Sequence, residues 1–184
     1  LPRGVRLSVN LSAHDIGSDA AVDAVMELVR AAPQPTRIDF EITETAVLRD
    51  LHQAKDAVSR LLNLGARISL DDFGTGHSSL THVQRLPLHR IKIDRSFVAE
   101  VTTDSTSRAI VKTMIDLCRN LGMSCVFEGI ETEGQLEALV GLGGTVMQGY
   151  LFGRPMAPEA ALELAAKNDS GRNRDRLDQY GTIS

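Results

Sequence analysis

Six times in succession, a short apolar run gives way to an amphipathic stretch, with few residues in between. Val5 to Leu11, Ile38 to Thr43, Ile68 to Leu70, Arg90 to Ile93, Ser124 to Phe127 and Thr145 to Leu151 read as strands. Each is followed by a helical pattern: Asp19 to Ala32, Leu51 to Leu64, Ser79 to Leu86, Ser105 to Leu121, Thr132 to Leu142 and Pro158 to Ala166. Val22, Val25, Met26 and Val29 share one helical face, as do Ala54, Val58, Leu61 and Leu62. Ala109, Ile110, Thr113, Met114 and Leu117 mark the apolar side of the longest helix. Pro33, Pro35 and Pro87 stop helices, Gly65 and Gly122 lie just past helix ends, and Thr132 is placed to cap one. Parallel strands need a long crossover, and a helix supplies it. The rhythm therefore predicts an α/β fold with parallel strands.

The 184 residues suit one domain, with enough apolar content (42%) to bury a core. A net charge of −4 excludes the broad basic footprint of a DNA or RNA duplex binder. Cys118 and Cys125 lack metal-ligand spacing and read as core thiols of a protein in a reducing compartment, which points to the cytoplasm. No apolar run approaches the roughly 20 residues that span a bilayer, so this segment is expected to make no membrane contact. The chain opens at Leu1, without Met and without a signal peptide, as a piece of something longer would. From Lys167 to Ser184 it turns polar and aperiodic, a tail or linker after a domain that ends near Ala166.

Chemistry gathers at one place in each unit. Asn10, Glu41 with Glu44, Asp71 with Asp72, Lys92 with Asp94, Glu128 with Glu131, and Gln148 all lie at or just past the carboxyl end of a strand. In a (β/α)₈ barrel those ends form one rim, where the active site sits; in an open doubly wound sheet they line a crevice. The stretch Arg67 to Leu80 is the most pointed case. Its apolar run ends in two adjacent carboxylates, Asp71 and Asp72, and then a turn on Gly74 and Gly76. Neighbouring like charges repel, and a hard cation such as Mg²⁺ relieves that repulsion. A capping Asp in a solvated turn is the structural alternative. Asn10 could equally serve a turn, Glu44 could cap or brace, and Glu131 could favour a helix N-terminus. Glu41 and Glu128 end apolar runs, where an unpaired buried carboxylate is costly. Lys92, between Ile91 and Ile93, either snorkels or pairs with acids on neighbouring strands. The histidines His14, His52, His77, His82 and His89 show no ligand pairing and read as surface or loop residues. No nucleophilic Ser or Cys motif and no phosphate-cradling glycine loop is present.

Carboxylates with one Asn and one Lys, without His or Cys, favour Mg²⁺ or Mn²⁺ over Zn²⁺. Two such ions about 3.5–4 Å apart can clamp the attacking and leaving oxygens of a phosphodiester. The expected reaction class is metal-assisted phosphodiester hydrolysis.

Six segments carry a family likeness: Ser-Val-Asn-Leu-Ser, Phe-Glu-Ile-Thr-Glu-Thr, Leu-Asp-Asp-Phe-Gly-Thr-Gly-His-Ser-Ser-Leu, Ile-Lys-Ile-Asp-Arg-Ser-Phe-Val, Phe-Glu-Gly-Ile-Glu-Thr and Gln-Gly-Tyr-Leu-Phe-Gly-Arg-Pro-Met. In this order, from about Leu7 to Ala166, they resemble the motifs of the EAL-domain family. Those bacterial phosphodiesterases open cyclic di-GMP to linear pGpG with Mg²⁺ or Mn²⁺. The resemblance implies a TIM-type (β/α)₈ barrel of which about the last six strand–helix units are present, a domain over residues 1–166, and two bound ions. It implies that Asn10, Glu41 and Asp71 ligate one metal and Asp72 the second. Lys92 would position the hydrolytic water, and Glu128 would be general base or metal ligand. Gln148 and Glu131 would support the pocket. Glu44 would anchor the Asp-Asp-Phe-Gly-Thr-Gly loop, which in the family couples metal binding to a homodimer interface. His77 stands where the family often has Tyr. The namesake Glu-Ala-Leu and a nearby Arg lie before the first strand seen here and have no counterpart; a full barrel takes roughly 250 residues, about 60 more than this chain. An EAL-like module that binds cyclic di-GMP or a protein partner without hydrolysis is the alternative expectation.

Overall fold

A computed structural model of the chain describes residues 5–74, 80–169 and 182–183. They fall into two compact units. One takes Leu7–Ile93 with Asn120–Ser124; the other takes Asp94–Arg119, the chain from Cys125 onward and the residues before Leu7.

The first unit alternates strands and helices: β1 (Leu7–Leu11), α1 (Ala13–Ile16), α2 (Asp19–Ala31), β2 (Ile38–Thr43), α3 (Glu44–Arg49), α4 (Leu51–Leu62), β3 (Arg67–Phe73), α5 (Leu80–Arg85) and β4 (Arg90–Ile93). β1 pairs β2, β2 pairs β3 and β3 pairs β4, all in parallel. Strand side chains alternate between two faces. Phe40, Ile42, Ile68, Leu70, Ile91 and Ile93 are buried on one, where helical side chains such as Val58 and Leu61 join the core. The other face carries Asp39, Glu41, Ser69, Asp71, Arg90 and Lys92. Barrel interiors are ordinarily filled by branched aliphatic residues; here that face is charged. Two cations hold it at successive levels: Arg90 pairs with Asp39 at 3.2 Å, and Lys92 pairs with Glu41 at 2.5 Å and Asp71 at 3.1 Å.

The second unit holds α6 (Arg95–Ala99), α7 (Ser105–Asn120), β5 (Ser124–Phe127), α8 (Glu133–Leu142), β6 (Val146–Met147), α9 (Pro158–Asp169) and β7 (Thr182–Ile183), with the ends of α7 and β5 belonging to the first unit. β5 pairs β6 and β6 pairs β7, again in parallel. Its core gathers Val98, Val101, Val111, Phe127, Ile130 and Leu139. No helix among the described residues is long and apolar enough to cross a membrane.

The expected strands and long helices are all found, and β2, β4 and β5 have the expected bounds. Three short helices, α1, α3 and α6, were not expected. Each opens on its own cap: Ser12, Thr43 and Asp94 accept from backbone N–H groups of the following turn. The buried side of α7 is Val111, Ile115 and Cys118, not the expected stripe, whose Ala109, Ile110 and Thr113 are exposed. Both stripes are apolar enough, and packing selects between them. β6 is two residues long; Gln148 still bonds Phe127 and Ile130, and the chain turns from Gly149. α9 runs to Asp169, past the expected domain end at Ala166, and Thr182–Ile183 form a strand within the segment read as a polar tail.

Candidate functional site

Register builds the site in the first unit. Asn10 lies opposite Glu41, and Thr43 opposite Asp71. Asn10, Glu41 and Asp71 thus stand near the carboxyl ends of three adjacent strands. Lys92 on β4 reaches between the two acids. Its Nζ lies 2.5 Å from Glu41 Oε2 and 3.1 Å from Asp71 Oδ1. The lysine is 6% exposed, so the sequence alternative of surface snorkelling is set aside. Glu41 and Asp71 keep 13% and 15% of their side-chain surface, enough for an approaching ligand to reach them. An ammonium joining two half-buried carboxylates shows that their oxygens converge on a space a small cation can hold. The donors there are all oxygen, as Mg²⁺, Mn²⁺ and Ca²⁺ prefer.

A backbone irregularity sits at the acidic pair. Leu70 pairs Ile91 and Phe73 pairs Ile93, so β3 spends three steps where β4 spends two. The extra residue is a β-bulge at Asp71–Asp72, the kind of feature that re-aims side chains beside active sites. Asp72 adopts φ 56°, the left-handed region that few residues other than Gly enter, and its N–H donates to Asp71 Oδ1 at 3.0 Å. Asp tolerates that conformation better than most side chains. Asp72 is exposed.

Glu44 begins α3 and is 7% exposed, and neither carboxylate oxygen has a hydrogen-bond partner among the described residues. A buried carboxylate without a partner is costly. The loop it is expected to anchor continues into residues 75–79, and these, with His77, lie outside the described residues; so does the side chain of His82. At the amino end of α1, which follows Asn10's strand, Asp15 accepts from the Ser12 hydroxyl at 2.7 Å and from its N–H at 2.8 Å. Those bonds hold the Asp15 carboxyl below its usual range. The box fastens the turn that follows Asn10 and Leu11.

In the second unit, Glu128 follows β5 half-buried, and Gly129 follows it with φ 72°. A Cβ on Gly129 would meet the Arg95 side chain at 2.4 Å, so the chain passes too close there for any larger residue. Gln148 and Glu131 are exposed. The Gln148 N–H donates to the Phe127 carbonyl at 2.8 Å, and its carbonyl accepts from Ile130 at 3.1 Å. Glu131 precedes the Thr132–Gln135 capping box of α8, and its N–H donates to Gln135 Oε1 at 2.9 Å. Asp94 caps α6 through the Ser96 N–H at 2.9 Å, a structural use of a residue grouped with the strand-end acids. His14, His52 and His89 are exposed, as expected, and Cys118 and Cys125 are buried free thiols.

Three features escaped sequence reading. The Asp39–Arg90 pair beneath Lys92 could have been found by continuing the alternation that singles out Glu41 and Lys92. The bulge at Asp71–Asp72 has no sequence signal beyond the doubled acid. Arg154, whose guanidinium lies 4.5 Å from the Tyr150 ring centroid, falls in a quoted motif but received no role.

The family described as "EAL domain" matches residues 1–155. The bifunctional diguanylate cyclase/cyclic di-GMP phosphodiesterase MucR of Pseudomonas aeruginosa is 42% identical over 161 residues, which are 87% of this chain and 24% of MucR. The solved MucR phosphodiesterase in complex with c-di-GMP superposes with a TM-score of 0.78 at 41% identity, over 85% of this chain and 64% of that one. Klebsiella pneumoniae BlrP1, solved with manganese and cyclic di-GMP, gives a TM-score of 0.75 at 32% identity, over 82% of this chain and 39% of that one. The chain spans about a fifth to a quarter of the length of the first curated relatives it matches. With the family covering most of its length and the strand-end acids in the family's order, the chain belongs to the EAL-domain family.

Proposed function

We propose that this chain is the phosphodiesterase part of a bacterial second-messenger protein and hydrolyses cyclic di-GMP to linear pGpG with Mg²⁺ or Mn²⁺, two ions per site. The observation that carries the reading is the Lys92 ammonium joining Glu41 and Asp71, with Asn10 in register beside Glu41. MucR and BlrP1, one named a cyclic di-GMP phosphodiesterase and the other solved with the nucleotide and manganese, support it. Asn10, Glu41, Asp71, Asp72 and Glu128 would hold the ions. When bound, these supply Lewis acidity to the phosphoryl oxygens and acidify water.

The chain's own groups do the rest. Lys92 sets a positive charge between the Glu41 and Asp71 carboxylates. The Lys92 ammonium, held between both acids, orients an attacking water or meets charge developing on phosphate. Glu128 accepts a proton or joins the ligands. Gln148, exposed beside a fixed backbone turn, contacts substrate, and Glu131 braces that turn through α8. Glu44 anchors the loop after Asp72. The working protein is a cytoplasmic homodimer.

Asp71→Ala in the full-length protein tests this. Mg²⁺-dependent release of pGpG, followed by chromatography, is expected to fall by 100-fold or more, on the order of the loss when a transition-state contact is removed. Circular dichroism should stay unchanged. A wild-type protein that binds cyclic di-GMP without turnover would favour the non-hydrolytic module, and unchanged kcat in Asp71→Ala would sink the metal assignment.

A further inference from the structure

β2 offers two acids to the two cations of β4. Asp39 and Glu41 leave the same face of their strand, as Arg90 and Lys92 do on theirs. Lys92 pairs with Glu41, while the Arg90 guanidinium donates to Asp39 Oδ2 at 3.2 Å. Register shows that Arg90 passes over the nearer acid. Glu41 lies opposite Ser69 and Ser69 opposite Arg90, so Glu41 and Arg90 stand level with one strand between them. Asp39 lies opposite Arg67, on the amino side of Ser69. Between backbones, Glu41 is about two strand spacings from Arg90, roughly 9.6 Å, and Asp39 is displaced by about a further 6.6 Å along the strands. A side chain long enough for Asp39 is long enough for Glu41, and Ser69 between them is small.

Burial gives this pairing its weight. Asp39 is 1% exposed, and the Arg90 side chain keeps 18% of its surface. A guanidinium does not lose its proton, and a buried charge stripped of its partner is costly. Without the Asp39 charge, Arg90 must turn to another anion, and Glu41 is the carboxylate level with it. An arginine fork takes a carboxylate through two parallel bonds and covers both oxygens, whereas a lysine is a single point charge that leaves room for another cation.

We infer that Asp39 is a positioning residue of the metal site. It holds Arg90 one level down, keeps the guanidinium off Glu41, and leaves that carboxylate to a divalent ion. The inference rests on the proposed reading in which Glu41 holds an ion. Asp39 itself touches neither ion nor nucleotide in this scheme, so its effect falls on metal affinity and not on bond cleavage.

The test measures Mn²⁺ binding to the full-length protein without nucleotide, through the paramagnetic resonance signal of free Mn²⁺. Wild type is compared with Asp39→Asn and with the double variant Asp39→Asn/Arg90→Gln. Asp39→Asn should raise the Kd for Mn²⁺ by roughly 10–100-fold, the usual cost of losing a group that sets the orientation of a metal ligand. The double variant should return to the wild-type Kd, because the competing cation is gone. Saturating Mg²⁺ should restore the kcat of Asp39→Asn on cyclic di-GMP, since ion and guanidinium contend for one carboxylate. A merely structural pair would lower the unfolding midpoint of Asp39→Asn and leave its Mn²⁺ Kd unchanged; that result overturns the inference, as does a double variant as weak as the single one. If Asp39→Asn does not fold, the double variant carries the test: a wild-type Kd supports the inference, and a Kd about tenfold higher overturns it. A wild-type protein that binds no Mn²⁺ overturns the parent reading, and this inference with it.

Discussion

Lys92 is the residue on which the first unit's charge balance turns. Its ammonium sits between Glu41 Oε2 and Asp71 Oδ1, with 7% of its side-chain surface left to solvent. Removing it leaves two half-buried carboxylates facing each other without a cation, and uncompensated buried charge is among the costliest single changes. Lys92→Ala is expected to lose about 2–3 kcal/mol of stability in chelator-treated buffer, less than the roughly 3–5 kcal/mol of a fully buried pair because both acids keep some water. A divalent ion supplies the missing charge, so Mg²⁺ or Mn²⁺ should raise the thermal midpoint of Lys92→Ala by more than that of wild type. Equal metal responses in calorimetry would show that the space between Glu41 and Asp71 is not where ions bind. Asp15 makes a pH-dependent contribution beside Asn10. Its carboxyl is held below the usual 3.8 by the Ser12 hydroxyl and N–H, so its bonding favours the fold fully above that value. The contribution fades as pH falls from 3.8 through the lowered folded value. The urea midpoints of wild type and Asp15→Asn should therefore differ at neutral pH and converge in strong acid; a gap that persists at about pH 2 would assign the difference to packing rather than to charge.

Elements show where local sequence suffices and where it does not. β2, β4 and β5 are legible because each run carries buried apolar residues and punctuation follows closely: Thr43 caps α3, Asp94 caps α6, and Gly129 turns the chain after β5. Lys92 and Glu41 were legible for the same reason, since alternation assigns them a face. α1, α3 and α6 were not, because four to six residues cannot display a helical period and depend on a cap and tertiary contacts. The side of α7 was misread because two neighbouring stripes are apolar and the partner surface decides. The bulge at Asp71–Asp72 belongs to pairing between strands, which no single stretch encodes. The short β6 follows from Gly149, whose close approach to Ile130 replaces ladder bonds with a turn. Gly149→Ala would push a Cβ to 2.2 Å from the Ile130 carbonyl oxygen, and backbone on both sides must then move. Overpacking of this kind should cost about 3 kcal/mol. The measurable signature is a lowered denaturant midpoint with an unchanged slope. A variant as stable as wild type would mean that the turn is soft.

At the scale of the whole polypeptide, charge and apolar surface are distributed unevenly, and β1 is where this has consequences. Among the described residues β1 pairs only with β2, so its other edge presents backbone donors and acceptors. Leu7 and Val9 project from one side of it at 50% and 37% exposure, and Ser8 and Asn10 on the other side are exposed as well. Native sheets protect such edges with charge, proline or a covering element. Residues 7–11, Leu-Ser-Val-Asn-Leu, contain none of these. An unprotected edge with apolar neighbours is a template for pairing with another copy. The net charge of −4, spread over 184 residues, offers little general repulsion against it. The 184-residue polypeptide taken alone is therefore expected to associate as its concentration rises, seen as an increasing average mass by multi-angle light scattering. Leu7→Lys with Val9→Lys places two like charges on the exposed face without touching the buried Leu11 or the register to β2. That double variant should hold the mass of a smaller species over the same range, with an unchanged circular dichroism spectrum. A wild-type mass that stays at the 20.0 kDa monomer value at every concentration would show that the β1 edge is shielded. Equal association in both proteins would place the contact on another surface.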